Sequence, residues 1–438
     1  MTELLLAGQT NDAILDSLSY KLAPTSEYIQ QRRMSRFYPS GASSYSSNTT
    51  QIARIELKGQ GGFLDLSTMK IAFRLVNTSA TQHLVLAGGP HALVSRIRVF
   101  CQGSLVEDCS HYGRVHHLFT ELMAPSNWRV NQAIETNLQR YDPASAGDPT
   151  TVEVIDPGEY ATVLFTPSAL GVLNCGKLWP IEMAPLSIEI TFAPPGDAVI
   201  GFANNHPAGV PSSTDYVINS LHLQCSQVLV DSALNNSFKN LLSSGRSLTI
   251  SLQSVFTQAH ILAAGSNSAQ ISMVRALSKL GLLFLTFQTS VGTAQQHEVT
   301  GFGNPSLLVG GTTGAATAYS HQEHTLSVQA QLDSFLFPET PMDSHGEIFS
   351  KLQEAAATYD QKLATLSLTP QSYKSNAFCA AINFMRAPGS AFSGLNTRTG
   401  SLLTLKLNDM RTETTKVFAH LVGTILVEIR ADSCSVYD

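Results

Sequence analysis

Two groups of histidine and acidic residues carry the side chains that metal binding or acid–base catalysis requires. His111, His116 and His117 follow Asp108 closely. Two histidines that hold zinc from one helix usually stand four positions apart on the same face, whereas His116 and His117 are adjacent and would point apart. We therefore expect them at a helix edge, facing solvent or a partner. Glu107 and Asp108 are also adjacent, and we expect both at the solvated end of a strand.

A glycine-rich stretch, Gly301-Phe302-Gly303 followed by residues 310–314, invites comparison with phosphate-binding loops. Such loops end in a lysine followed by a serine or threonine, so that the lysine reaches the phosphates. This stretch contains no lysine. We therefore expect an exposed, flexible loop.

Other catalytic signatures are missing from the sequence. It has no GxSxG or HExxH motif, and its six cysteines are scattered without a CxxC pair, which is typical of free thiols in a protein that folds inside the cell. Two distant carboxylates could still meet in the fold, about 5–10 Å apart as glycosidases require, and that alternative stays open. We predict a protein that is not an enzyme, with no catalytic residue, metal, cofactor or small-molecule substrate.

Arg32, Arg33 and Arg36, followed by Phe37 and Tyr38, form the one cluster of basic and aromatic residues in the sequence. It could contact an anionic surface, either lipid headgroups or packaged nucleic acid. Alternatively, it could dock onto acidic patches of neighbouring subunits. The net charge of −6 argues against a body that wraps nucleic acid, so any such contact would be local.

From residue 51 onward, apolar and polar residues alternate with the period of two that half-buried strands require. In the first such run, Ala53, Ile55 and Leu57 alternate with charged residues. Predicted strands cover 52–58, 69–75, 93–99, 160–166, 181–192 and 216–230, then 248–252, 274–287, 325–336, 377–385, 402–407 and 417–429. Alternation over many short strands predicts antiparallel sandwiches, in which each strand buries one face.

Three helical patterns interrupt the strands: residues 111–123, a helix from Asp231 or Ser232 to Gly245, and a helix that begins near Ser344. We predict an N-terminal arm over 1–50 without a strand, a first sandwich over 51–231, a linker helix over 232–245 that acts as a hinge, and a second sandwich over 246–438. Long connections at 142–158, 194–215, 288–320 and 386–400 are expected to be functional or to form interfaces.

Composition agrees with a protein whose surface is largely committed to neighbours. Charged residues make up 14% of the chain, against about 25% in typical soluble domains, and charge is depleted at the core of interfaces. No apolar run approaches the roughly 18 residues of a membrane span. The N-terminus lacks a basic region, so we expect no secretory signal.

Three segments resemble the double jelly-roll major capsid proteins of eukaryotic DNA viruses, of the kind found in Polinton-like viruses and virophages. They are FLDLSTMKIAFRLVN at 63–77, HALVSRIRVFCQGSLVEDCSHYGRVHHLFTELM at 91–123, and the C-terminal segment 402–438. The resemblance implies an all-β fold of two consecutive antiparallel jelly-roll β-sandwiches, with short helical inserts and long loops. It carries over no catalytic residue.

The resemblance also implies a structural role. Three chains would form a homotrimer, a pseudo-hexameric capsomer that tiles an icosahedral virion shell, folded and assembled inside the host cell. Its partners would be neighbouring capsomers, penton proteins and minor capsid proteins. The N-terminal arm would tie capsomers together or contact an inner membrane or the genome.

Two other functions are compatible with jelly rolls. A carbohydrate-binding or carbohydrate-active protein would be expected to have a secretory signal and aromatic platforms, yet this chain has only two tryptophans, Trp128 and Trp179. A minor capsid protein, such as a penton or spike, usually needs a single jelly roll. Two sandwich units in one chain favour the major capsid protein.

Overall fold

The computed structural model describes residues 28–59, 62–122, 135, 155–199, 213, 215–290, 298–306, 326–359, 366, 368–375, 377–386, 393–398 and 402–438. The first unit contains β1 (Ile29–Phe37), β2 (Ser44–Tyr45), β3 (Ile52–Leu57), β4 (Phe63–Val76), β5 (Val94–Cys101), β6 (Ser104–Ser110), β7 (Tyr160–Phe165), β8 (Leu186–Phe192) and β9 (Val217–Val230). The second contains β10 (Leu248–Ile261), β11 (Ala269–Ser272), β12 (Leu280–Thr289), β13 (Ser327–Leu332), β14 (Phe335–Met342), β15 (Cys379–Asn383), β16 (Leu403–Asn408), β17 (Thr414–Ile429) and β18 (Cys434–Tyr437).

The two units repeat one strand order. The sheets of the first unit run β1-β9-β4-β7 and β3-β8-β5-β6, and those of the second run β10-β17-β12-β15 and β11-β16-β13-β14. If the short β2 and β18 are set aside and the strands of each unit are numbered one to eight, both units read 1-8-3-6 and 2-7-4-5. Every strand pair in these four sheets is antiparallel within the described residues, for example β3 with β8 and β10 with β17. Eight strands in two facing antiparallel sheets form a jelly roll, so the chain contains two jelly rolls.

Side-chain alternation explains most strands. In β3, Ala53, Ile55 and Leu57 are fully buried while the intervening residues are exposed. The strand β12 differs, because all ten of its residues are buried. It lies between β17 and β15, and its outer face is covered by helical inserts, with the Phe119 ring packed edge-on against Phe284 at 5.3 Å. A strand covered on both faces is largely apolar, and the polar residues of β12 are Thr286, Gln288 and Thr289.

The helices are α1 (Tyr112–His117), which continues as a π-helical turn Leu118–Leu122, then α2 (Pro195–Ala198), α3 (Ser232–Ser243), α4 (His345–Tyr359) and α5 (Pro370–Ser375), with 3-10 turns at Pro90–Leu93 and Gly171–Asn174. The Asp231 carboxylate caps α3 by accepting from the Ala233 amide at 3.2 Å. The chain leaves α3 through Gly245 at φ +82°, a conformation that favours glycine. These features confirm the predicted helix between the units. Among the described residues, no helix is long and apolar enough to span a membrane.

Several expectations about the strands and helices differ from the structure. Residues 29–37, expected in an arm without strands, form β1 and pair with β9. The strand predicted from residue 274 begins at Leu280, and Val274 is 81% exposed. The helix α3 does not separate the units as a hinge, because one continuous hydrophobic cluster contains core residues of both. Met123, residues 310–314 and most of the predicted long connections lie outside the described residues.

Candidate functional site between the two jelly rolls

The edge strand of one roll lies against the edge strand of the other. β6 is an edge strand of one sheet of the first roll, and β10 is an edge strand of one sheet of the second. The Ser110 hydroxyl donates to the Thr257 carbonyl at 3.1 Å, and the Ser104 hydroxyl donates to the Cys434 carbonyl at 2.7 Å. The two strands do not form a β-ladder, and side chains make the hydrogen bonds between them. We call this contact the inter-roll interface.

A buried arginine crosses the inter-roll interface. Arg114 lies on α1 of the first roll and is 1% exposed. Its Nε donates to Thr286 Oγ1 at 2.8 Å, and its two terminal nitrogens donate to the carbonyls of Glu298 and Gly301 at 2.6 and 3.0 Å. All three acceptors belong to the second roll. Burial lowers the pKa of Arg114 to about 9, so the guanidinium stays charged at neutral pH.

Aromatic rings complete the surroundings of this cation. The guanidinium carbon lies 4.0 Å from the ring centre of Phe418 and 4.6 Å from that of Phe302. A guanidinium between ring faces gains cation–π attraction, which strengthens when water is excluded. Arg114 therefore replaces its lost hydration with three acceptors and two rings, all supplied by the opposite roll.

The hydrogen bonds continue from Arg114 through a buried histidine. Thr286 Oγ1 lies 3.1 Å from His420 Nε2, and His420 Nδ1 lies 2.9 Å from Thr257 Oγ1. Because Arg114 can only donate to Thr286, the hydroxyl hydrogen of Thr286 is free to donate to His420 Nε2. The ring then donates from Nδ1 to Thr257. Burial lowers the pKa of His420 well below its usual value, so the imidazole is neutral.

A second, partly exposed ion cluster borders the interface. Glu298 accepts from His111 of the first roll at 2.9 Å and from Lys416 of the second at 3.1 Å. The hydrogen bond from His111, reinforced by Lys416, lowers the pKa of Glu298 to about 2. His111 adopts a left-handed conformation with φ +50°, which is uncommon for a residue with a side chain. This backbone turn aims the imidazole at the second roll.

Glu107 is buried at the interface, contrary to the solvated position expected from the sequence. Its carboxylate accepts from the amides of Gly171 and Val172 at 2.8 and 3.1 Å, and from the Ser254 hydroxyl of the second roll at 3.2 Å. Burial raises the pKa of Glu107 to about 7, and these hydrogen bonds oppose the rise. Its neighbour Asp108 behaves differently, because it pairs at the surface with Arg96 at 2.5 Å.

Glycine is required where the first roll meets β10. A Cβ atom placed on Gly171 would lie 1.8 Å from the Gln253 carbonyl oxygen, far inside van der Waals contact. The absence of a side chain lets the 3-10 turn approach the β10 backbone, and the same turn presents two amides to Glu107. The position of Gly171 therefore couples the packing of the rolls to the carboxylate site.

The histidines of α1 are buried, which corrects their expected position at a solvated helix edge. His116 and His117 are 0% and 3% exposed, and both rings stack on His91, with centroids 4.7 and 5.5 Å apart. His116 Nε2 donates to the Thr166 carbonyl at 3.2 Å. Burial lowers the pKa of His116 to about 4. The rings stack face to face, and no group of three metal-ligating residues occurs in the described parts of the chain.

The Gly301-Phe302-Gly303 segment was expected to be an exposed loop, and that prediction is wrong. All three residues are buried. Phe302 is fully buried, and its ring faces the Arg114 guanidinium. The carbonyl of the preceding residue, Gly301, accepts a hydrogen bond from Arg114. This segment binds the arginine of the first roll.

The six cysteines are all free thiols.

The predicted basic cluster lies on β1. Arg32 pairs with Asp65 at 2.6 Å, and Arg33 donates to the Gln227 side chain at 3.2 Å. Arg36 is exposed. Two of the three arginines are therefore engaged within the chain.

No protein-family model matches the sequence, and no curated protein matches it significantly. Solved structures of viral capsids do resemble the fold over nearly its full length. The PBCV-1 virus capsid matches with a TM-score of 0.61 at 11% identity, covering 95% of this chain and 98% of that chain. The chain has the double jelly-roll fold.

Two further structures agree. The Sputnik virophage structure matches with a TM-score of 0.57 at 10% identity, covering 95% of this chain and 90% of the other. The Faustovirus major capsid protein matches with a TM-score of 0.54 at 8% identity, covering 97% and 96%. At such low identities the likeness establishes the fold, and it confirms the fold class predicted from the sequence.

Proposed function

We propose that this chain is a major capsid subunit, a structural protein without enzymatic activity that builds the shell of a virion. The observation that carries the proposal is the internal duplication. Two rolls with identical strand order share one core, and a buried arginine fixes one roll to the other. A rigid unit of this kind suits tiling, and structures of viral capsids match it along nearly the whole chain.

The proposed assembly is a homotrimer that presents six rolls as a pseudo-hexameric capsomer. Capsomers would contact one another, penton proteins and minor capsid proteins in an icosahedral shell. The segment before β1, together with Arg32, Arg33 and Arg36, would contact neighbouring subunits or an anionic inner surface. Because each contact is repeated many times, individually weak interactions suffice for a stable shell.

The sequence predicts an N-terminal arm over 1–50, rolls over 51–231 and 246–438, and a joining helix over 232–245, and we propose this division with the first roll beginning at β1. The strand β1 adds a qualification, because Ile29–Phe37 is hydrogen-bonded into the sheet of the first roll. A truncation that removes residues 1–27 therefore tests the arm and leaves β1 in place. We expect this variant to keep its oligomeric state and to lose shell assembly.

Light scattering of the purified protein, followed by negative-stain imaging, tests the proposal. Three chains of 47.1 kDa give a particle of about 141 kDa, and we expect hexagonal outlines. A stable monomer that binds glycans on an array would instead support the carbohydrate-binding alternative. A pentameric particle would support a penton protein.

A further inference from the structure

The intrachain contact between rolls points to the surface that joins one chain to the next. Within the chain, the fifth strand of the first roll, β6, lies against the first strand of the second roll, β10. The second roll has its own fifth strand, β14, at the corresponding sheet edge, and the first roll has its own first strand, β1, at the corresponding edge. Among the described residues, no strand pairs with the outer side of either.

These two edges have exposed apolar residues. On β14, Phe335 is 67% exposed and Leu336 is 38% exposed. On β1, Met34 is 68% exposed and Ile29 is 47% exposed. Phe335 and Leu336 are adjacent in β14, and Ile29 and Met34 lie five positions apart on the same edge strand. Apolar side chains exposed along an unpaired edge suit a surface that another protein covers.

The two edges also carry opposite charge. The segment 28–38 around β1 contains Arg32, Arg33 and Arg36 and no acidic residue. The segment 333–343 around β14 contains Asp333, Glu339 and Asp343 and no basic residue, and all three acids are exposed. Complementary charge favours contact between the two edges and disfavours contact of either edge with itself. It therefore selects a head-to-tail arrangement.

We propose that the β14 edge of one copy packs against the β1 edge of a second copy of this chain, repeating the contact that β6 and β10 make within the chain. This inference rests on the proposed trimer and identifies its interface. A heterologous contact that repeats in one direction closes into a ring when the rotation between neighbours returns to the start. In the proposed trimer, three copies supply six rolls with six similar contacts. Half of these contacts are the inter-roll interfaces, and half join the copies.

The contact is made by side chains and is not a continuous β-sheet. Pro338 and Pro341 remove two backbone donors from β14, and a register shift between Val328 and Ala330 interrupts its ladder with β13. Proline and bulges at an edge strand prevent pairing with another strand. The intrachain contact has the same character, because side chains join β6 and β10. The Ser110 hydroxyl donates to the Thr257 carbonyl, and the Ser254 hydroxyl donates to the Glu107 carboxylate.

Charge reversal with rescue tests the proposal. Arg36→Glu and Glu339→Arg each place like charges in the contact, and the double variant restores opposite charges. An exposed charge pair changes an association constant by up to about fivefold, and the ring contains three such contacts. We expect each single variant to raise the trimer dissociation constant on the order of 100-fold, and the double variant to recover most of it.

The controls separate this interface from the trimer itself. Arg430→Glu reverses an exposed arginine that pairs with Glu428, and it should leave the mass distribution unchanged. Phe335→Ser should weaken the trimer, whereas Val274→Ser, just after β11 at the opposite side of the same sheet, should not. Mass photometry over a dilution series and thermal unfolding would be recorded for each variant.

The outcomes distinguish two failures. If the wild-type protein is a trimer and both charge reversals and Phe335→Ser leave its dissociation constant unchanged, the proposed interface is wrong and the trimer stands. If the wild-type protein is a monomer at all concentrations, the proposed function fails as well. If the single variants dissociate and the double variant does not recover, the two edges do not meet.

Discussion

Replacing Arg114 by leucine tests whether this residue holds the two rolls together. The substitution removes three charge-assisted hydrogen bonds and leaves the Thr286 hydroxyl and the carbonyls of Glu298 and Gly301 without their donor. Each buried acceptor that loses its partner costs about 1–3 kcal/mol. Glu298 lies near solvent, so water can reach part of the site, and the leucine no longer carries a charge that must be desolvated. We expect a loss of roughly 4 kcal/mol in the free energy of unfolding.

The matched control is Arg96→Leu. Arg96 also binds a partner with two nitrogens, at 2.7 and 2.5 Å from the Asp108 oxygens, but this pair lies at the surface within the first roll. Surface ion pairs contribute about 0–1 kcal/mol. We expect Arg96→Leu to shift the urea midpoint little, and Arg114→Leu to shift it strongly.

Two probes show whether the rolls unfold together. Both tryptophans belong to the first unit by sequence, and Trp179 is fully buried there, so tryptophan fluorescence reports on the first roll, whereas far-ultraviolet circular dichroism reports on both. The two urea curves should coincide for the wild type and separate for Arg114→Leu. If Arg114→Leu keeps the wild-type midpoint and coincident curves, Arg114 does not couple the rolls.

Three further predictions concern buried groups. Glu107 has a folded pKa of about 7, raised by burial, so its stabilising contribution is fully present below about pH 4.5 and is lost as pH rises through 7. The free energy of unfolding of Glu107→Gln, measured by urea titration, should therefore rise by up to roughly 3 kcal/mol relative to that of the wild type between pH 5 and pH 8. A difference between the two proteins that does not change with pH would refute this. His116 has a folded pKa of about 4, lowered by burial, so its contribution is present above about pH 6.5 and is lost as pH falls through 4. His116→Gln should lose less stability than the wild type over that range, by up to roughly 3 kcal/mol, and parallel acid curves would contradict the assignment. Gly171→Ala should prevent folding or cost more than about 3 kcal/mol, because its Cβ would overlap the Gln253 carbonyl, whereas Gly196→Ala, with open space around it, should be neutral in thermal unfolding.

Apolar alternation made most of the long strands predictable, and its absence explains why β1 was missed. In β8, every second residue from Leu186 to Phe192 is buried, as period-two patterning requires. In β1 the inward side chains include Arg33 and Ser35, which both donate to the Gln227 side chain. A strand whose inner face is polar carries no apolar period, so only its pairing with β9 reveals it.

The interface residues were hidden from sequence reasoning for a similar physical reason. A register shift in the β5–β6 ladder lies between Val99 and Phe100, and beside it Val106 and Glu107 are both buried. Such a bulge reverses the alternation for the residues that follow it, so Glu107 points inward where the pattern predicts solvent. Arg114 gives a weaker signal. It is a single charge in an otherwise apolar and histidine-rich helix, and its acceptors are more than 170 residues away.

The histidines of α1 show the limit of helical-face reasoning. Adjacent residues on a helix do point apart, but α1 is covered on one side by His91 of the first roll and on another by Phe302 of the second. Both His116 and His117 are buried as a result. The packing of the two rolls brings His91 and Phe302 against α1, so the local sequence pattern could not predict the burial of its histidines.

A single-particle cryo-electron microscopy reconstruction of the purified protein tests the central claim most directly. We expect a ring of six similar sandwiches, formed by three chains, in which the contacts within and between chains repeat. A reconstruction with one isolated pair of rolls, or with chains joined through two identical edges, would contradict the account.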